Sequence, residues 1–222
     1  MTVKVLTIKE DILEANDAKS KANAEFLDKK NVMMVNIMSS PGAGKTTVIL
    51  KTIEDMKNKI RMGVIEGDVA SSVDADKINE QSVPVVQINT AGGCHLDANQ
   101  IKHGLDNLPL DDIDLLLVEN VGNLICTAEF TLGEQKRVMI LSLPEGHDKP
   151  YKYPLMFTEV EVVLVSKMDL APLLEFDLDE FSSAVKGLNE KAEVIPISAK
   201  TGEGMEAWYS WLEKQLESRR NS

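Results

Sequence analysis

Thr90-Ala91-Gly92-Gly93-Cys94-His95-Leu96-Asp97 sets a thiol beside an imidazole, directly after two glycines, in a chain of 222 residues with only two cysteines and three histidines. Thiolate and imidazole together suit Zn²⁺ or Ni²⁺. Adjacent side chains converge on one ion only where a turn brings them round, and a Cys-His pair alone is better explained by a buried thiol next to a surface imidazole. Cys126 shifts the balance towards a metal site, because Cys94 and Cys126 each follow the end of an expected strand on the same side of a sheet. Cys94, His95 and Cys126 would supply three ligands and leave a position open for water, a second subunit or a client. His103, late in an expected helix, and His147, in the polar stretch EGHDKP, read as solvated. The ten methionines show no ligand spacing.

A second constellation is built for phosphate. Ser39-Ser40-Pro41-Gly42-Ala43-Gly44-Lys45-Thr46 ends as the pattern GxxxxGK[ST] does, with Ser39 in place of the first glycine. An apolar run precedes it and a helical pattern follows, so backbone N–H groups can curl round a phosphate at a helix N-terminus. The nucleotide-binding set is then Pro41, Gly42, Ala43, Gly44, Lys45, Thr46 and Thr47. Lys45 reaches the β- and γ-phosphates, and the Thr46 hydroxyl faces Mg²⁺. Glu119-Asn120-Val121-Gly122 reads as an ExxG form of the DxxG switch: Glu119 holds Mg²⁺ or orients the attacking water, and the Gly122 N–H meets the γ-phosphate. Lys45, Glu119 and Gly122 are the expected catalytic residues. Asp68 and Asp74, in EGDVASSVDADK, are further Mg²⁺ candidates that sequence does not rank.

The base is read further on. Ser166-Lys167-Met168-Asp169 resembles NKxD, with Ser166 for Asn. The Asp169 carboxylate can accept from guanine N1–H and N2–H₂ together, a donor pair that adenine lacks, while the Lys167 stem packs on the base. Ser198-Ala199-Lys200 matches the SAK element whose backbone meets guanine O6. The two motifs together favour GTP over ATP.

All of these motifs need strand ends to position them. Apolar runs occur at Val32–Met38, Met62–Ile65, Val83–Ile88, Ile113–Glu119, Arg137–Leu143, Val160–Ser166 and Ala192–Ser198. Helical patterns fall at Thr46–Lys57, Asp74–Glu80, Leu96–Leu105, Asp179–Asn189 and Gly204–Glu217. Unalternating runs between helices predict an α/β fold: a mostly parallel sheet flanked by helices on both faces, with ligands at the strand carboxyl ends. Lys9 to Lys30 predicts a surface helix with Ile12, Leu13, Ala15, Ala18, Ala22, Phe26 and Leu27 on its apolar side. The expected organisation is 1–31 as a helix packed on a single GTPase domain, 32–222.

Composition narrows the partners. With 24 basic and 36 acidic residues the formal net charge is −12, a field that repels nucleic acid and anionic membranes. Two cysteines make no disulfide framework, and neither a signal sequence nor a membrane-length apolar run is legible, so a cytoplasmic protein is expected.

With the loop, ExxG, SKMD and SAK in place, Gly92–Ala98 (GGCHLDA), Glu119–Cys126 (ENVGNLIC) and Glu145–Pro154 (EGHDKPYKYP) resemble the HypB family of hydrogenase-maturation nickel-insertion GTPases, from about Val32 to the C-terminus. The resemblance implies a P-loop NTPase of the SIMIBI-class G-domain kind, slow GTP hydrolysis, GTP-linked homodimerisation, and Ni²⁺ or Zn²⁺ held at the subunit interface by Cys94, His95 and Cys126. It also implies a hydrogenase large-subunit precursor and other maturation factors as partners. No CxxCGC motif or histidine-rich stretch precedes Val32, so tight nickel capture there is not expected. The related urease GTPase UreG carries Cys-Pro-His, which adjacent Cys94-His95 lacks. Two other readings stay open: a metal module with nucleotide as a structural ligand only, and a partitioning ATPase of the same fold. Against the ATPase, Ser40 stands where a second lysine belongs.

Overall fold

The computed structural model describes residues 8–69 and 73–220. Along the chain run α1 (Ile8–Lys30), β1 (Met33–Ser39), α2 (Lys45–Met56), β2 (Met62–Asp68), α3 (Val73–Asn79), β3 (Val85–Asn89) and α4 (Ala98–Asp106). Then come β4 (Leu115–Glu119), α5 (Cys126–Glu129), β5 (Lys136–Ser142), α6 (Lys149–Lys152), α7 (Pro154–Thr158), β6 (Val162–Ser166), α8 (Leu178–Leu188), β7 (Glu193–Pro196) and α9 (Met205–Arg220). The seven strands form one sheet in the order β3-β2-β4-β1-β5-β6-β7, and every pairing is parallel. The expected α/β architecture is therefore found. The unbroken apolar runs mean what they should: β1, β4 and β6 are buried along their whole length.

Alternate residues of β1 divide the core. Met33, Val35 and Ile37 face α2 and α9, where Ile49, Ile53, Trp208 and Leu212 are buried. Met34 packs with Leu27 of α1 and Ile101 and Leu105 of α4; Met38 packs with Phe157 of α7 and Phe181 of α8. Each such fully buried aliphatic or aromatic side chain contributes about 1.5–3 kcal/mol. The edge strands are shorter than the sequence suggests, and β3 is only half-buried.

Two differences from expectation bear on the site. β2 continues through Glu66-Gly67-Asp68, so an acid lies inside a strand. α1 packs on the domain through Leu27 and Phe26 as expected, and through a polar stripe as well. Asn16, Ser20, Asn23 and Leu27 are its buried positions, whereas Ala15, Ala18 and Ala22 are exposed. The reason is hydrogen-bonding demand. Asn16 accepts from the Ala98 N–H (2.9 Å) at the start of α4 and donates to the Thr131 carbonyl (2.8 Å). Asn23 donates to the carbonyls of Ala98 (2.8 Å) and Leu132 (3.0 Å). These backbone groups lie under a helix, away from water, and would be costly unpaired.

Candidate functional site

Strands β1, β2 and β4 end together, and their ends form a cavity of about 570 Å³. Its walls include Pro41, Gly42, Gly44, Lys45, Thr46, Thr47, Glu66, Asp68, Asp74, Glu119, Gly122 and Lys167. Of the expected phosphate set only Ala43 is turned away: its side chain is fully buried and its carbonyl accepts from Ser166 Oγ at 2.7 Å. Two separate contacts account for the two departures from pattern in this region. Ser166 ties the base-reading loop to the phosphate loop in the place of the usual Asn, and Ser39 is fully buried with its Oγ accepting from Lys45 Nζ at 3.0 Å. Gly44 leads into α2 at φ 101, a backbone region that favours glycine.

Burial lowers the Lys45 pKa, while the charges of Glu119, Glu145, Glu66 and Asp74 pull it back up. Thr46 Oγ1 lies 2.9 Å from Glu119 Oε1 and 3.1 Å from Asp74 Oδ2. Glu119, Asp74 and Thr46 thus converge as Mg²⁺ ligands would, and Asp68 lines the same cavity. Gly122 sits against the loop, since a Cβ there would lie 2.9 Å from Pro41 N and Cα.

Glu66 is the residue that sequence reasoning missed. It pairs in register with Glu119 across β2 and β4, so two carboxylates stand side by side, both nearly fully buried. Each has an Oε2 with no hydrogen-bond partner. Burial first, then the charge of Glu119, pushes Glu66 up to about 8; burial pushes Glu119 up to about 7 against the pull of Lys45. Two orphaned buried carboxylate oxygens beside a threonine hydroxyl are a donor set that fits a hard divalent cation with its waters.

The pKa shifts carry a prediction. The folded, cation-free protein holds protons that unfolded carboxylates, near 4.5, have released. Between pH about 4.5 and 8 the folded state binds more protons, so stability falls as pH rises. The melting temperature without Mg²⁺ should therefore drop from pH 5 to pH 8, and Glu66→Gln should flatten most of that fall. A calorimetric series in which the variant keeps the wild-type slope would contradict the assignment.

The base-reading motifs meet beside the cavity. Asp169 Oδ1 accepts from Ser198 Oγ at 2.8 Å, and Lys200 Nζ lies 3.8 Å from Asp169 Oδ2. Lys167 is left-handed (φ 62) and donates to the Gly42 carbonyl at 2.7 Å. It is the member of SKMD that lines the cavity, so a base on Asp169 would leave the phosphates inside and lie across the rim.

Cys94, His95 and Cys126 also meet. Their ligand atoms all lie within 4.8 Å of one another; Cys94 Sγ is 3.0 Å from Cys126 Sγ and 3.5 Å from His95 Nδ1. Two glycines and an Ala91 at φ 50 turn the first arm, and an Asp97–Gln100 capping box starts α4 directly after it. The Asn123 side chain accepts from the Ile125 and Cys126 N–H groups to start α5. Phe130 stacks on His95 with ring centroids 3.9 Å apart, a contact no motif announces. Burial lowers the His95 pKa, keeping the imidazole neutral, the form that ligates. The Cys94 contact, then burial, pushes the Cys126 thiol up to about 11; a soft cation reverses this by binding thiolate. His103 is exposed, and His147 lies 3.6 Å from Glu180, both away from the cluster.

The family described as CobW/HypB/UreG, nucleotide-binding domain, matches residues 33–196. The chain is 42% identical over 210 residues to the hydrogenase maturation factor HypB of Rhizobium leguminosarum bv. viciae, covering 95% of this chain and 70% of that protein. The crystal structure of hydrogenase maturation factor HypB from Archaeoglobus fulgidus superposes with a TM-score of 0.86 at 37% identity, over 92% of this chain and all of that one (100%). The crystal structure of HypB from Helicobacter pylori in complex with nickel gives 0.88 at 34%, over 92% and 96%.

Proposed function

Because the chain belongs to the CobW/HypB/UreG family of nucleotide-binding domains, we propose that it is a GTPase whose cycle of GTP binding and hydrolysis times the delivery of nickel during maturation of a nickel–iron hydrogenase. The observation that carries this is a shared connection. Glu119 and Gly122 of the nucleotide cavity and Cys126 of the metal cluster lie on one stretch between β4 and α5. Whatever GTP does to that stretch, a metal ligand feels.

Phosphoryl transfer to water asks the protein mainly for positioning and charge stabilisation. Lys45 and the loop N–H groups would hold the β- and γ-phosphates; Thr46, with Asp74 and Glu119 beside it, and Glu66, whose Oε2 has no partner, would hold Mg²⁺. Bound there, Mg²⁺ would neutralise charge on the β- and γ-oxygens. Gly122 offers its N–H to the γ-phosphate, and Asp169 selects guanine. Nickel is cargo: Cys94, His95 and Cys126 hold it with one position open for a second copy of the chain or for the receiving protein. Zn²⁺ suits the same three ligands. Dimerisation with GTP, transfer to a hydrogenase large-subunit precursor, cooperation with other maturation factors and a cytoplasmic setting belong to this reading. Among the described residues no helix is long and apolar enough to cross a membrane.

Phosphate release from GTP, measured with Mg²⁺, tests it. Lys45→Ala should lower turnover about 100- to 1000-fold, the scale of losing a transition-state donor. Equal release by both proteins would make the nucleotide a structural ligand and contradict the reading.

A further inference from the structure

From Asn120, in the wall of the nucleotide cavity, a buried polar chain runs to the metal cluster. Asn120, next to Glu119, is 1% exposed, and Asn36 on β1 is fully buried. The Asn120 Oδ1 accepts from the Leu96 N–H at 3.0 Å and from the Val121 N–H at 2.9 Å. Its Nδ2 donates to Asn36 Oδ1 at 3.2 Å, and Asn36 Nδ2 donates to Glu134 Oε1 at 3.2 Å. Glu134 accepts from the Leu132 N–H and from Arg137 Nε, each at 2.6 Å, and Arg137 Nη1 donates to the Ala128 carbonyl at 3.2 Å.

The two ends of this chain are the two arms of the metal cluster. Leu96 directly follows His95, while Ala128 and Leu132 bracket Phe130, the residue stacked on His95, in the arm that begins at Cys126. The far ends are held by α1, whose Asn16 and Asn23 bond to Ala98, Thr131 and Leu132. The near end of the first arm is tied to β2 through Thr90 and Asp68 and to the 119–122 segment through the Leu96 N–H and Asn120.

We propose that Asn120, anchored by Asn36, is the positioning residue that couples the nucleotide state to the metal cluster. This rests on the nucleotide-timed reading above. Glu119 is tied to Thr46, and Gly122 lies against Pro41, so a γ-phosphate that draws in the Gly122 N–H shifts the 119–122 segment. Asn120 carries that shift to Leu96, and thereby moves Cys94 and His95 relative to Cys126. A buried side-chain amide serves this well, because unpairing either end costs a full desolvation penalty and the link stays made. A path of contacts becomes a coupling only when two states are biased through it, so the test measures the bias itself.

The full chain is titrated with Ni²⁺ by competition with a chromophoric chelator, once with a non-hydrolysable GTP analogue and once with GDP. In the wild type the two affinities should differ by about 5- to 150-fold, the usual span of a coupling between sites. Asn36→Ala, which touches neither ligand set, and Asn120→Ala should each bring the ratio to within about twofold of one, with GTP affinity kept in Asn36→Ala. Asn120→Asp, which retains the acceptor for Leu96, should keep more of the ratio than Asn120→Ala. A residue that merely supported the cluster would weaken both affinities and leave the ratio alone. A folded Asn36→Ala or Asn120→Ala with the wild-type ratio overturns the proposal; if one variant does not fold, the other decides. A wild-type ratio of one overturns the nucleotide-timed reading as well, which separates the two failures.

Discussion

Asp169→Asn should weaken GTP binding about 100- to 10,000-fold and make xanthosine triphosphate a ligand instead. Each hydrogen bond to a charged partner contributes about 1.5–3 kcal/mol, and in the proposed base site the carboxylate would accept two from guanine, at N1–H and N2–H₂. The structure holds that carboxylate ready: Ser198 donates to one oxygen, and Lys200 stands 3.8 Å from the other. In the variant an amide NH₂ meets the guanine amino group, donor against donor. Xanthine has a carbonyl there, which accepts from the new amide while its N1–H still donates. Affinities of both nucleotides, measured by displacement of a fluorescent analogue, check this. Unchanged GTP affinity would remove Asp169 from the base site.

Cys94→Ala should lower Ni²⁺ affinity at least 100-fold. Loss of an outer-shell partner alone costs about 10- to 100-fold, and Cys94 is the ligand that touches both of the others. The variant has good reason to fold, since Cys94 is exposed and the Asp97–Gln100 capping box sustains α4 without it. His103→Ala provides the control: its side chain is remote from the cluster and its affinity should be that of the wild type. Competition with a chromophoric chelator reads both, and a Cys94→Ala protein that binds Ni²⁺ as tightly as the wild type would displace the cluster from its assigned role.

The sheet was legible because its strands are buried on both faces and therefore apolar throughout, as in VMMVNIM and IDLLLVE. The phosphate loop, ExxG, SKMD and SAK were legible because their chemistry fixes residue types at fixed spacings. Glu66 was not: an acid after MGVI looks like the end of a strand, and its burial depends on register with Glu119, which pairing sets and local sequence does not. The same holds for α1. Of its expected apolar side only Phe26 and Leu27 pack into the core; the alanines of that side stay exposed, and Asn16 and Asn23 make the rest of the contact, because what they meet is backbone N–H and carbonyl groups. Asn120 and Asn36 were invisible for a related reason. A buried amide has no pattern; its meaning lies in partners 24 and 84 residues away. Phe130 over His95 is likewise a product of the folded chain. Motif spacing singled out the candidate groups, and the partners that hold those groups emerged only from the fold.

One stretch of chain, from Glu119 to Cys126, joins the nucleotide cavity to the metal cluster, and in the proposed function it serves both ligands. The most direct test of that function is Ni²⁺ titration with simultaneous size measurement by sedimentation, in a GTP analogue and in GDP, on the wild type and on Cys94→Ala. The wild type should bind Ni²⁺ with different affinity in the two nucleotide states and populate the dimer preferentially with the GTP analogue and metal, and Cys94→Ala should lose the metal dependence. Identical isotherms and identical size in both nucleotide states would contradict that function.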